Sequence, residues 1–282
     1  MKVLDQKIGI FSWFGFVLPF EERIALIQET GFTGTSLWWE DEEEPFPMPK
    51  ERMPALVRER GLILENIHVP WCDANALWSD DKALRRAIIT KHKQWLEDCA
   101  RFEIPLLVMH LCDGENPPEP NEYGLESMGE LAKAAEEQGV RIAVENTRRR
   151  DSVEYVLRHI SSRALGFCFD SSHHRLTDQE DFHLLRSFGD RLLTTHLSDN
   201  DGLKDRHWLP GHGVIDWVKV AGAFPRGYKD FLTLEVYPTP WEVQETPEEF
   251  LVRAYERIAG VRTLLEKNSK PIMSGPVALL DI

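Results

Sequence analysis

The stretch PLLVMHLC, residues 105–112, is an apolar run with the look of a buried β-strand, and it ends in His110. One histidine at such a place is explained most simply by a satisfied strand-end side chain. The pattern recurs, however, because short apolar or β-branched runs bounded by turn signals appear eight times. The runs are residues 7–13, 34–40, 62–69, 105–111, 140–146, 165–171, 192–198 and 231–237.

Segments with helical periodicity separate the runs, for example residues 19–31, 82–102, 123–139, 152–160 and 247–267. Several runs are almost continuously apolar, which is typical of parallel strands covered on both faces. Eightfold β/α alternation over 282 residues predicts an α/β protein, a single-domain (β/α)8 TIM barrel over residues 1–267. Residues 268–282 fall outside the repeat and are predicted to form a C-terminal tail or a partner-contacting arm, which leaves a homo-oligomer open.

Composition and charge narrow the class of protein. Hydrophobic residues make up 42% of the chain and charged residues 28%, which excludes a largely disordered protein. The net charge of −14 argues against nucleic acid as a partner, because nucleic-acid binders usually present a basic patch. No stretch has the apolar length of a membrane span, and the start, MKVLDQKIGIF, lacks the order of a secretory signal. Four cysteines without C-x-x-C spacing favour reduced thiols and a cytoplasmic location.

Six consecutive predicted strands end in a side chain that can bind a metal ion or carry a proton. These residues are His68, His110, Glu145, Asp170, His196 and Glu235. In a TIM barrel the carboxyl ends of the strands share one rim, where the chemistry of this fold is found, so we expect the six to converge.

The last four of these residues come from adjacent strands and bring three carboxylates together. Without a cation that grouping would be strongly unfavourable in a partly dry pocket. Glu145, Asp170, His196 and Glu235 therefore predict a divalent metal site, and ligand type does not choose among Mn, Zn, Co, Fe and Mg. The simpler alternative is that some of them cap helices or pair with arginine at the rim.

Further ligand types follow the same strands. His173 lies three residues after Asp170, and Asp205 and His207 form a D-x-H pair after the seventh strand. A structural role, a substrate contact and a second metal centre all remain open for Asp205 and His207. Arg148, with two more arginines after it, follows the fifth strand either as a solvated charge run or as a clamp for a substrate carboxylate or phosphate.

Tryptophans and acidic residues crowd the predicted rim. We interpret the tryptophans as an aromatic wall for a sugar or another small ligand, with Trp13 among them, but expect Trp38 to pack in the core. Residues 40–44, EDEEE, are predicted to form a solvated loop that would repel an anion. The six tryptophans at or just past strand ends are Trp13, Trp38, Trp39, Trp71, Trp208 and Trp241.

The pattern resembles the xylose-isomerase-like superfamily of TIM barrels, which holds sugar-phosphate isomerases, ketose 3-epimerases, inosose dehydratases and endonucleases of the endonuclease IV type. The resemblance covers residues 7 to about 267 and is most specific in VENT (144–147), FDSSH (169–173) and residues 196–217. It implies a metal held by the four predicted ligands, with Glu145 and Glu235 also serving as catalytic proton carriers. His173 would bind a substrate oxygen.

The predicted function is isomerisation, epimerisation or dehydration of a sugar, keto-sugar or polyol with a divalent metal. Proton transfer next to a metal-polarised carbonyl would use the two glutamates. The residues assigned to substrate binding are His68, His110, His173, Asp205, His207, Arg148 and Trp13. One departure from the family loop is His212, which stands where Glu is common.

The endonuclease IV branch supplies the alternative, a zinc-dependent phosphodiesterase. Its trinuclear site uses nine ligands, and the acidity of this chain weighs against a DNA substrate. A sugar-binding sensor without catalysis is a third hypothesis. The nine candidates for the zinc ligands are His68, His110, Glu145, Asp170, His173, His196, Asp205, His207 and Glu235.

Overall fold

The protein is seen in a computed structural model that describes residues 7–147, 149–177, 181–242 and 244–269. Eight parallel strands form one sheet in the order β7-β6-β5-β4-β3-β2-β1-β8, which confirms the predicted TIM barrel. Every observed strand lies inside the run predicted for it. The strands are β1 (Ile8–Phe11), β2 (Gly34–Trp38), β3 (Ile63–His68), β4 (Leu106–His110), β5 (Arg141–Glu145), β6 (Leu165–Asp170), β7 (Leu192–His196) and β8 (Leu232–Leu234).

Helices connect successive strands. All five predicted helical segments form helices. The described residues also form four shorter helices, which were not predicted because six or seven residues show too little periodicity. The helices of both kinds are α1 (Phe20–Thr30), α2 (Met53–Glu59), α3 (Lys82–Arg101), α4 (Glu122–Gln138), α5 (Arg150–His159), α6 (Ser171–Thr177), α7 (His183–Phe188), α8 (Trp217–Ala223) and α9 (Pro247–Ser269).

Local capping fixes where the long helices begin and end. The Asp81 carboxylate accepts a hydrogen bond from the Ala83 amide at 2.8 Å, which starts α3. Gly139, at φ 69°, terminates α4 in the left-handed region. The final helix runs to Ser269, two residues beyond the predicted domain boundary at 267, and the predicted tail from 270 onward lies outside the described residues.

The interior of the barrel is lined by a small buried group: Leu106, Val108, Ala143 and Cys168. These side chains stand one or two layers below the strand ends, because alternate residues of a strand point to the same face. They form the floor under the residues at the mouth.

The barrel closes where β7 meets β8. The Leu197 amide donates to the Thr233 carbonyl at 2.8 Å, and the Glu235 amide donates to the Leu197 carbonyl at 3.3 Å. This seam is narrow, because the structure shows one isolated bridge there rather than a long ladder. Its geometry matters because His196 and Glu235 lie directly beside it.

A buried carboxylate reaches this seam from the other side of the barrel. The pairing of β2 with β3 passes from Thr35–Leu64 to Ser36–Asn66, so Glu65 has no partner on β2 and forms a bulge. Its carboxylate accepts hydrogen bonds from the hydroxyls of Thr194 on β7 and Thr233 on β8. Burial raises the pKa of Glu65. The Glu65 carboxylate thus joins β3 to both strands of the seam.

All four cysteines are free thiols, three of them buried. Across the part of the chain that the structure describes, no helix has the length and apolar character needed to cross a membrane.

Candidate active site

The four predicted metal ligands lie together at the mouth of the barrel. Glu145, Asp170 and His196 are the last residues of β5, β6 and β7, and Glu235 follows β8 directly. One ligand atom from each residue lies within 4.8 Å of the other three. The first three side chains are at most 1% exposed, and Glu235 is 16% exposed. Three of the four side chains are therefore deeply buried, and Glu235 is the one that is partly exposed.

Contacts within this group fit a bound cation. The Nδ1 atom of His196 lies 3.0 Å from Glu145 Oε2 and 3.1 Å from Glu235 Oε2, without hydrogen-bond geometry to either. Asp170 Oδ1 accepts the His173 amide at 2.6 Å, whereas Asp170 Oδ2 is buried and has no hydrogen-bond partner among the described residues. Three carboxylates and one imidazole match the donor set of a divalent metal site. The unpartnered Asp170 Oδ2 is a free donor atom for such an ion.

The pKa values of the three carboxyl groups also fit a cation site. Burial raises the pKa of Asp170 to about 7, and the Glu145 carboxylate pushes in the same direction. Burial would also raise the pKa of Glu235, but His207 and His196 outweigh it and lower the pKa to about 2. For Glu145, attraction by His196 and His110 likewise overcomes burial and holds the pKa well below its usual range. Negative charge here is compensated by protons, which a divalent cation would replace.

Asn146 fixes the relative position of two of these ligands and was not predicted. Its side-chain amide donates to the Asp170 carbonyl at 2.9 Å and accepts the Asp170 amide at 2.8 Å. The ends of β5 and β6, which carry Glu145 and Asp170, are thereby held together. One indication of this role was present in the sequence: Asn146 directly follows the predicted ligand Glu145.

Two predicted substrate-binding histidines surround the Glu145 carboxylate. His68 Nε2 lies 3.2 Å from Glu145 Oε2, and His110 Nε2 lies 3.6 Å from the same oxygen. Each imidazole is stacked on an indole: Trp38 on His68 at 5.2 Å and Trp71 on His110 at 5.0 Å between ring centroids. These tryptophans screen the histidines from water on the outer side of the site.

The D-x-H pair joins the site through His173. Asp205 Oδ2 lies 3.0 Å from Nε2 of both His173 and His207, while His173 Nδ1 lies 3.1 Å from Glu145 Oε1. Burial lowers the pKa of His207, but Glu235 and Asp205 raise it to about 9. The structure therefore brings Asp205, His173 and His207 together with the four predicted metal ligands.

One expectation about the rim is wrong. Trp38 is not in the core: it is half-buried at the mouth, and the neighbouring Trp39 is the core residue, at 1% exposed. The acidic segment 40–44 is exposed as expected, except for Glu42, which is partly buried and pairs with the fully buried Arg23. Trp13 lies at the rim as predicted and is 37% exposed.

The remaining polar predictions have separate outcomes. Arg148 lies outside the described residues. The next arginine, Arg149, is held by Glu119 and Asp151 on the surface. His212 Nδ1 lies 3.1 Å from Glu242, a buried glutamate that sequence reasoning did not single out.

The fold and the side chains at its mouth define a TIM barrel with a set of residues at the carboxyl ends of its strands that could hold a metal ion. The chain belongs to the family described as xylose isomerase-like TIM barrel, whose model matches residues 24–254. It is 29% identical to an uncharacterized protein, y4fM, of Sinorhizobium fredii (strain NBRC 101917 / NGR234), over 94% of this chain and 95% of that protein.

Solved structures of sugar epimerases share the fold. A structure of L-ribulose 3-epimerase matches with a TM-score of 0.73 at 16% identity, over 93% of this chain and 95% of that one. A D-allulose 3-epimerase from Methylomonas sp., in complex with D-allulose, matches with a TM-score of 0.71 at 16% identity, over 90% and 96%. At this identity the likeness is one of fold.

Proposed function

We propose that this protein is a divalent-metal-dependent epimerase or isomerase, or a dehydratase, of a sugar, keto-sugar or polyol. The proposal rests mainly on one observation: ligand atoms of Glu145, Asp170, His196 and Glu235 lie within 4.8 Å of one another. One further oxygen of this group, Asp170 Oδ2, is buried and has no hydrogen-bond partner among the described residues. A cation bound there, Mn, Zn, Co, Fe or Mg, would supply a Lewis acid that polarises a substrate carbonyl. The named activities of the similar structures support the substrate class.

The two glutamates suit proton transfer. Each places a carboxylate at the mouth of the barrel, and an ionised carboxylate can accept a proton. They contact His196 Nδ1 from separate strands, β5 and the end of β8. We infer that one carboxylate removes the proton next to the carbonyl and that the other returns a proton to the opposite face.

The surrounding histidines suit binding of hydroxyl groups. His68, His110 and His173 contact the Glu145 carboxylate, and Asp205 orients His173 and His207 from behind. Substrate oxygens that approach Glu145 would therefore meet imidazole donors. The screening indoles keep water from competing for those positions.

The direct test is uptake of solvent deuterium by a panel of ketoses and inososes in the presence of Mn²⁺. Glu145→Gln and Glu235→Gln are each expected to lower turnover by a factor of about 10² to 10⁴ with little change in melting temperature, because each removes one proton carrier. Glu137→Gln, an exposed residue of α4, is the matched control and should keep full activity. Full turnover in either site variant contradicts the two-base mechanism.

Zinc-dependent phosphodiester cleavage is the second candidate. It is favoured by one further observation, a second group of potential ligand atoms within 4.8 Å that comprises His68, Glu145 and His196. Three zinc ions per chain together with nicking of an abasic duplex would establish it. A bound sugar that is never converted with Mn²⁺ present would indicate a sensor instead. Cytoplasmic location and self-association through residues 268–282 stay predictions.

A further inference from the structure

A cavity of about 370 Å³ opens beside the four proposed metal ligands, and its lining combines tryptophans with several glutamates. Its volume lies within the range of small-molecule pockets. Glu235 and Phe11 line its inner end, next to the site described above. The outer part is lined by Trp13, Trp38, Trp71, Phe46 and the glutamates Glu42, Glu43 and Glu44.

The aromatic walls are held at fixed angles. Trp38 and Trp71 meet edge to face, with ring centroids 4.8 Å apart and an interplanar angle of 73°. Each also stacks on a histidine of the site, as described above, and the Trp38 indole N–H donates to Glu40. A ligand in the cavity therefore meets two preformed indole surfaces at nearly a right angle.

Every charged side chain that lines the cavity is a carboxylate. Four carboxylates line the cavity, and no lysine or arginine is among its lining residues in the described part of the chain. Arg23 lies behind Trp13, at 5.2 Å from the ring, and compensates Glu42. Glu43 and Glu44 are exposed, and neither forms an ion pair with another described residue. Two carboxylates thus remain uncompensated at the cavity entrance.

We propose that this cavity binds the end of the substrate remote from the reacting carbon and takes an amine-bearing, positively charged group there. The inference rests on the proposed function, because it assigns the reacting end to the metal group. Indole faces and carboxylates both attract an ammonium group. A phosphate would meet four carboxylates and no cationic side chain. The substrate class is therefore an amine-bearing sugar or polyol rather than a sugar phosphate.

Three ligands that differ in the group on carbon 6 test the proposal: 6-deoxy-6-(dimethylamino)-D-fructose, whose tertiary amine cannot close a stable ring on the carbonyl, D-fructose and D-fructose 6-phosphate. Binding is measured by calorimetry with Mn²⁺ present. The amine is expected to bind about 5- to 30-fold more tightly than D-fructose, and the phosphate more weakly than D-fructose. The preference should shrink as salt rises from about 0.01 M to about 1 M, because the two outer carboxylates are exposed.

The double variant Glu43→Gln, Glu44→Gln should lower the preference for the amine about threefold or more. Its matched control is Glu136→Gln, Glu137→Gln, an exposed adjacent pair at the far end of α4, which changes the net charge equally and should leave the preference intact. Equal binding of the three ligands, tighter binding of the phosphate, or binding of none overturns the proposal.

Binding and deuterium uptake are read separately, so the two proposals fail in different ways. Amine preference without deuterium uptake in any ligand keeps the subsite and contradicts the epimerase. Uptake without amine preference keeps the epimerase and contradicts the subsite.

Discussion

Metal binding at the mouth should release protons, and this fixes how its affinity depends on pH. Burial raises the pKa of Asp170 to about 7, so its carboxyl is protonated in the metal-free protein at mildly acidic pH. The cation needs the carboxylate and must displace that proton. Displacement from a group with a pKa of about 7 strengthens apparent binding about 90-fold between about pH 5 and about pH 8. Most of the change falls below pH 7.

His196 can steepen this dependence. Burial alone would lower its pKa, but Cys168, Glu145 and Glu235 raise it well above the usual range. An imidazole must lose its proton to bind a metal, so a second displaced proton would double the slope. Titration with Mn²⁺ by calorimetry, in two buffers of different ionisation enthalpy, gives both the affinity and the number of protons released.

Asp190→Asn, which alters an exposed carboxylate at the opposite end of the barrel, should keep the same slope. Asp170→Asn should bind Mn²⁺ much more weakly at every pH. Affinity that stays constant from about pH 5 to about pH 8 would refute the reasoning, because no proton would then be displaced.

Three further outcomes are expected. Mn²⁺ at about 100 times its dissociation constant should raise the melting temperature by about 4–6 °C in calorimetry, and by much less in Asp170→Asn; an equal shift in both contradicts the site. Asn146→Ala should lower the free energy of unfolding in urea by about 2–4 kcal/mol, because it leaves the buried Asp170 amide and carbonyl without their partner, and a change below about 0.5 kcal/mol argues against the clamp. Glu65→Leu should cost about 2–5 kcal/mol and weaken Mn²⁺ binding, whereas Glu65→Gln keeps partners for Thr194 and Thr233; equal stability of the two variants counts against the seam contact.

The mouth of the barrel was predictable because it depends on strand ends. Parallel strands of a closed barrel present their carboxyl ends on one rim, so a ligand-type residue at the end of each run suffices. Asp170 and Glu235 are 65 positions apart, yet no estimate of side-chain geometry was needed to bring them together. The positions at which the short apolar runs end were enough to predict which residues meet at the rim.

The orientation of the tryptophan pair was not predictable from the same pattern. Trp38 and Trp39 are adjacent and equally apolar, but neighbouring residues of a strand point to opposite faces. Trp39 points outward, where its indole N–H donates to Asp98 of α3 at 3.0 Å, and so Trp38 faces the mouth. Which of the two is buried depends on the phase of this alternation along β2, and two adjacent tryptophans do not reveal that phase.

The role of Glu65 was hidden for a different reason. It lies in the apolar run 62–69, where a charged residue is a visible anomaly, but its hydroxyl partners lie 129 and 168 positions further along the chain. Only closure of the barrel brings them together. A lone carboxylate in a buried strand is therefore a signal of a partner, although the sequence does not say which one.

The proposed proton-transfer site and the proposed subsite for the remote end of the substrate lie on different parts of this molecule. Glu145, Asp170 and His196 stand on strands whose positions are fixed by sheet pairing, with Asn146 bridging two of them. The outer cavity is instead built largely from the loops after β1 and β2, including residues 42–46. Loops tolerate sequence change that strands do not. Replacing the charges of that loop should therefore change which substrate binds while the proton-transfer site keeps its geometry, and the variant at positions 43 and 44 tests this separation directly.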